Sequence, residues 1–317
     1  SEELKMSTVY LLDPELMPLL DMIGDMKINA ETLPKLRDAR FSRPIPNDDP
    51  AVRREEIFVA NPNGPDVRCL LYQPESANGT TAGYLHLHGG GYVMGAPEGS
   101  IAMNNLIVKT LGVTVLSSSY RLAPEHLATE ALDDAYLALG WLHEHSNELG
   151  IDPLRIGIGG ESAGGGLAAA LAIHARDQGE YAICHQHLTY PMLDDRTGTD
   201  ASPGDPLTGE FVWTRASNRF GWASYLGDLT PSAPYVPARL EEFKNLPPTW
   251  VHTVTMDLFR DENILYAQKL LSAGVPTELI VSKGGCHGFQ MVPNTGIGRR
   301  YQADFLDALG RGLSVSG

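Results

Sequence analysis

The chain sets a serine, an acid and a histidine in the order and surroundings that acyl transfer needs. Gly160-Glu161-Ser162-Ala163-Gly164 fits the pattern Gly-x-Ser-x-Gly. In that pattern a sharp strand-to-helix turn lifts a serine hydroxyl above a sheet. Glycine two places before and two places after the serine relieves the crowding of such a turn, and the helix N-terminus behind Ser162 favours developing negative charge. Two competing readings are a glycine-rich turn that only packs and one that binds phosphate. For phosphate, the usual Gly-Lys-Ser/Thr is missing and the spacing is not that of a dinucleotide fingerprint. The second piece is His88-Gly89-Gly90-Gly91, just after the apolar run Gly83-Tyr84-Leu85-His86-Leu87. Cleaving an ester creates a tetrahedral oxyanion, which calls for backbone N–H donors fixed beforehand. The N–H groups of Gly90, Gly91 and Ala163 are the expected oxyanion hole, with His88 as anchor of its loop.

The acid and base follow from chain order, which in this arrangement runs serine, acid, histidine. Of ten histidines, only His252 and His287 lie late enough. His287 sits in a loop directly after a strand-like run, where α/β sheets carry catalytic groups. His252 lies inside a strand and reads as a packed core residue. Asp257 ends the strand Trp250-Val251-His252-Thr253-Val254-Thr255-Met256, whereas Asp261 opens the next helix and reads as a helix-start residue. Asp257 is therefore the expected partner of His287, and the interval between them accommodates one helix and one strand.

These residues need a scaffold of alternating strands and helices. Residues 53–60 and 66–73 read as two strands joined by the turn Asn61-Pro62-Asn63-Gly64-Pro65. Further strands are expected near 83–88, 113–119, 155–159, 183–190, 249–256 and 277–283. Helices are expected near 98–111, 130–149, 163–178, 262–273 and 298–312. Gly150 and Asp152-Pro153 mark the end of the second of these helices. Such alternation predicts an α/β fold with a mostly parallel central sheet and helices on both faces. The stretch 196–240 breaks the alternation and is rich in aromatic residues, Pro and Gly. It reads as an insertion that, with residues 1–45, makes a cap. The predicted organisation is thus a cap part over 1–45, a catalytic core over 46–195 and 241–317, and a cap insertion over 196–240. Arg43-Pro44-Ile45-Pro46 punctuates the first boundary. Tyr92, Phe211, Trp213 and Trp222 are the expected pocket residues.

Composition narrows the field. Lys plus Arg is 24 against 39 for Asp plus Glu, a net charge of −15 over 317 residues. That charge repels phosphate backbones and argues against nucleic-acid binding. No run approaches the ~20 apolar residues of a membrane span. The start Ser1-Glu2-Glu3-Leu4-Lys5-Met6 does not read as a signal peptide. Three cysteines, without a CxxC pair, suit a reducing compartment, so a cytoplasmic location is expected. The pairs His86/His88, His143/His145 and His185/His187 lack a third ligand at suitable spacing, so no metal is expected. Cys286, beside His287, reads as a packed residue.

With those pieces in hand, the chain resembles the hormone-sensitive-lipase-like family of carboxylesterases, closest to its heroin esterase type. The resemblance covers about residues 45–315. It rests on His88-Gly89-Gly90-Gly91, Tyr120-Arg121-Leu122-Ala123-Pro124-Glu125, Gly160-Glu161-Ser162-Ala163-Gly164, Asp257-Leu258-Phe259-Arg260-Asp261-Glu262 and His287-Gly288-Phe289. It implies an α/β-hydrolase fold with a cap, hydrolysis of small acyl esters through an acyl-enzyme without a cofactor, and frequent dimerisation. It also gives the triad role to Asp257. Leu258 stands where the family usually has Pro, and Tyr92 where it usually has Trp or an apolar aromatic. The same triad also suits an amidase, a lactonase or an acyltransferase, and the fold also serves catalytically silent receptors.

Overall fold

The computed structural model describes residues 8–24, 26–41, 45–76 and 79–315. The start Ser1–Met6 and the Arg43-Pro44 boundary lie outside these. Eight strands make one sheet: β1 (Val52–Val59), β2 (Val67–Pro74), β3 (Thr81–Leu87), β4 (Thr114–Ser118), β5 (Ile151–Glu161), β6 (His185–Thr189), β7 (Thr249–Val254) and β8 (Thr277–Ser282). Their spatial order is β1-β2-β4-β3-β5-β6-β7-β8. β1 pairs antiparallel with β2, and β2 antiparallel with β4. From β4 to β8 every pairing is parallel. This is the mostly parallel sheet the alternation predicted.

Nine helices accompany the sheet among the described residues: α1 (Met17–Ile23), α2 (Leu33–Phe41), α3 (Ile101–Leu111), α4 (Ala128–Glu144), α5 (Ser146–Leu149), α6 (Ala163–Gln178), α7 (Arg215–Leu226), α8 (Arg260–Ser272) and α9 (Gly296–Gly312). Because side chains alternate along a strand, each parallel strand feeds two cores. Leu85 and Leu87 of β3 join α4, α6 and α8 on one face. Ala82 and Tyr84 join α3 and α9 on the other. α6 is buried along nearly its whole length, and its Gly and Ala residues let it lie close to β5, β6 and α4. The helix expected over 130–149 is broken at His145, whose Nδ1 donates to Trp141 O at 2.9 Å. Gly150 then ends α5 in the left-handed conformation.

The N-terminal segment clasps the sheet's C-terminal edge. Asp13 N donates to Gly284 O at 2.8 Å, and Gly296 N donates to Glu15 Oε1 at 3.0 Å. The insertion is welded to the loop after β7. There Gly209 N donates to Met256 O at 3.3 Å, and Arg260 pairs with Asp205 at 2.7 Å.

The buried His185, His187 and His252 pack against α9. His185 and His187 hydrogen-bond at 2.9 Å, His187 stacks on Trp250, and His252 Nε2 meets Ser282 Oγ at 2.8 Å. Burial pushes His185 down to about 4 and His252 down to about 3, and pushes His187 well below its ordinary range. All three are depressed in the folded state, so the unfolded chain binds more protons once pH falls below about 6.5. The contribution of His185 and His252 to stability is whole above that pH and is lost between about 6.5 and 3. Each costs up to ~1.4 kcal/mol per pH unit within its window. His252→Gln should therefore flatten the dependence of unfolding free energy on pH between 6 and 4. Urea titrations at a series of pH values measure this, and parallel slopes for the two proteins would contradict it.

Candidate active site

β5 ends at Glu161, and α6 starts at Ala163. Between them Ser162 takes φ 58°, ψ −122°, a conformation that costs about 1–3 kcal/mol in a non-glycine residue. The surroundings hold it there. Ser162 N donates to Thr189 O, and Ser162 O accepts from Gly166 N and Met192 N, each at 2.9 Å. A Cβ on Gly160 or Gly164 would lie 2.3 or 2.0 Å from Leu87 O, so only glycine fits on either side of the turn.

The structure brings Ser162, His287 and Asp257 together. Ser162 Oγ lies 2.9 Å from His287 Nε2, and His287 Nδ1 lies 2.7 Å from Asp257 Oδ2. A carboxylate only accepts, so Nδ1 carries the proton and Nε2 offers a lone pair to the serine hydroxyl. Asp257 is fully buried, and its other oxygen accepts from Phe259 N at 3.0 Å. The His287 ring is packed by Tyr190 and Phe259, at 4.3 and 5.4 Å between centroids, with Trp213 at 5.9 Å. Asp261 is exposed in the first turn of α8 and pairs with Arg260, away from this chain of contacts. Leu258, the departure beside Asp257, is buried and packs toward Gly209 of the insertion.

The glycine loop lies across the nucleophile. Gly90 and Gly91 have φ of 132° and 62°. A Cβ on Gly91 would sit 2.3 Å from the Trp213 ring. Gly90 O accepts from Val93 N and Met94 N, which closes a tight turn. The N–H groups of Gly90, Gly91 and Ala163 have no acceptor among the described residues. His88 is held at both ends, since its ring stacks on Tyr120 at 4.4 Å and its carbonyl accepts from Tyr120 Oη at 2.7 Å.

The four aromatic residues divide. Trp213 stands beside Gly91 and His287. Tyr92, with φ 66°, stacks on Tyr225 at 3.7 Å, tilts against Trp222 and donates to Met192 O at 3.1 Å. Phe211 is buried in the core on the α9 face, whereas Tyr92, Trp213 and Trp222 belong to the core on the opposite face.

Two carboxyls that the sequence did not single out, the partly buried Glu161 and the buried Glu262, support the site. Glu161, next to the nucleophile, meets His86 Nε2 at 3.0 Å and Ser100 Oγ at 3.2 Å. Burial would raise its pKa, but the His86 charge and hydrogen bond outweigh that and hold it below the usual range. Glu262 accepts from Leu193 N and Asp194 N at 2.6 and 2.8 Å, and burial pushes it well above the usual range. Glu161 sits inside the quoted nucleophile motif and His86 two places before His88, so an alternation of facing polar residues was the available signal. The other histidine pairs are spent on protein contacts: His143 donates to Ala182 O, and His185 bonds His187. Among the described residues no group of three or more His, Cys, Asp or Glu side chains is arranged to hold a metal. Burial raises the Cys286 thiol to about 12, which makes it a poor nucleophile.

An eight-stranded sheet carrying a strained serine at a strand-to-helix turn, beneath a glycine loop, defines an α/β hydrolase. The family described as alpha/beta hydrolase fold matches residues 84–291, and the chain belongs to this family, in its hormone-sensitive-lipase-like branch. Esterase LipI of Mycobacterium tuberculosis is 31% identical over 284 residues, covering 88% of each chain. The bacterial heroin esterase structure superposes with a TM-score of 0.87 at 35% identity, covering 96% of this chain and 99% of the other. Esterase LipW from Mycobacterium marinum gives 0.84 at 30% identity and 96% of each chain. No helix among the described residues is long and apolar enough to cross a membrane.

Proposed function

We propose that the protein is a serine carboxylesterase of short-chain acyl esters. The observation that carries this reading is the unbroken contact chain Ser162–His287–Asp257 beneath the N–H groups of Gly90, Gly91 and Ala163. His287 Nε2 takes the Ser162 proton as Oγ attacks the ester carbonyl carbon. The three N–H groups bind the resulting oxyanion, and Asp257 stabilises the imidazolium. The imidazolium returns its proton to the departing alcohol, leaving an acyl-serine. Water, deprotonated by the same histidine, then releases the carboxylic acid and restores the serine.

Ser162 and His287 are buried beside Trp213 of the insertion, and a covered site of this kind excludes water, which strengthens the oxyanion interaction. Phe211, Trp213 and Trp222 come from the insertion, and of these Trp213 stands beside both Gly91 and His287. On the α6 side, the Tyr92 ring fills the space beside Gly166, and its hydroxyl lies where a Gly166 Cβ would come within 2.3 Å. That filled space supports a short acyl pocket. kcat/KM should accordingly peak at roughly two to six acyl carbons, as expected for a small covered pocket. A series of p-nitrophenyl esters measures it. A maximum at about twelve carbons or more, or a sharp rise at a lipid–water interface, would show a lipase lid instead. The free thiols of Cys69, Cys184 and Cys286 support a cytoplasmic location, and the family resemblance supports a homodimer.

A further inference from the structure

The oxyanion loop is fixed from outside by a residue of the N-terminal segment. Arg37, on α2, spends its guanidinium on three acceptors from two other parts of the chain. Nε donates to Val93 O at 2.8 Å, Nη2 to Ala123 O at 2.8 Å, and Nη1 to Glu125 Oε1 at 2.6 Å. Ala123 N in turn donates to Tyr92 O at 2.9 Å. Arg37, Val93, Tyr92 and Ala123 thus close a hydrogen-bonded ring. Two of its members, Tyr92 and Val93, directly follow Gly91, and Val93 N also bonds Gly90 O. Tyr92 takes a positive φ and Gly90 and Gly91 take conformations that relax readily, so this turn needs external bonds to keep one shape.

We propose that Arg37 is a positioning residue of the oxyanion hole, through which the N-terminal cap sets the catalytic rate rather than only covering the pocket. An oxyanion hole acts on the transition state more than on the bound ester, so loosening it lowers kcat and leaves KM nearly unchanged. A donor displaced from its place costs up to about 10²-fold. A planar fork with several donors is needed to span three acceptors, and a lysine ammonium cannot replace it. The Glu125 pair is half-exposed and belongs to the tether rather than to the loop.

This proposal rests on the esterase reading, and the test separates the two. Arg37→Ala should lower kcat for p-nitrophenyl acetate about 10- to 100-fold, with KM changed less than about threefold. Arg37→Lys should stay low. Arg37 lines an open surface groove of about 700 Å³ with Leu33, Pro34, Pro124, Glu125 and Phe220. Added methylguanidinium should therefore reach the vacated position and restore kcat in Arg37→Ala. Glu125→Ala, which leaves both carbonyl bonds intact, should lower the melting temperature less than Arg37→Ala and keep kcat within about threefold of the parent. Unchanged kcat in Arg37→Ala, a rise in KM alone, or equal loss of kcat in Glu125→Ala would each overturn the proposal while leaving the esterase reading in place. A parent protein without Ser162-dependent turnover would overturn both.

Discussion

Replacing Ser162 with alanine should cut ester turnover by about 10³- to 10⁶-fold and abolish labelling by a fluorophosphonate probe. Oγ is the nucleophilic atom that meets His287 Nε2, and the neighbouring thiol of Cys286 is held protonated by burial. The residual rate should come from the oxyanion donors, which the substitution leaves alone. Folding should be nearly unaffected, because Ser162 is held through its backbone N–H and carbonyl and those bonds survive. Ser162→Gly should lose activity equally and also gain about 1 kcal/mol of stability, since glycine tolerates φ 58° without strain. Comparing kcat, probe labelling and thermal unfolding of the two variants measures all of this. Near-normal turnover in either would end the nucleophile assignment.

The second large effect belongs to the buried acid. Asp257→Asn should lower kcat about 10³- to 10⁴-fold with little change in KM. An asparagine can present its amide hydrogens to His287 Nδ1, which then becomes the acceptor. The proton moves to Nε2, where it faces Ser162 Oγ and leaves no base for the serine. Asp257 makes two bonds in a fully buried position, so the isosteric change also keeps the loop in place. Asp261→Asn removes only an exposed partner of Arg260 and should cost less than about threefold. Steady-state kinetics of both variants decide between them, and the opposite ranking would move the acid to position 261.

The strands were legible because their apolar runs are short, bounded by glycine and proline, and separated by helix-length intervals. β3, β4 and β7 fall within a few residues of the expected ranges. The contacts among Ser162, Asp257 and His287 were legible for a related reason, since each residue sits at the C-terminal end of a strand, where chain order alone limits the choice. α1 and α2 were not resolved as separate helices, because elements of seven and nine residues carry little periodic signal. The break at His145 was hidden because a side chain taking over a helical carbonyl leaves no mark in hydrophobic patterning. Arg37 was invisible for a stronger reason. Two of its acceptors are backbone carbonyls, 56 and 86 positions away, and a carbonyl has no residue type to read. Glu161 meets His86 across 75 positions, and only the alternation of polar residues along the two strands hinted at that meeting.

The clasp between Glu15 and Gly296 spans 281 positions. On a ribosome adding about 5–20 residues per second, the early segment waits roughly a quarter of a minute to a minute before its partner exists. Throughout that interval Leu12, Leu16 and Leu19, all buried in the finished protein, have no completed surface to cover. His287 follows Ser162 by 125 positions, so the nucleophile turn and glycine loop are made well before the base. A nascent chain can therefore form its sheet as far as β6 and still be chemically inert. Hydrolytic competence therefore waits until the segment around Glu15 has closed over the much later loop around Gly296.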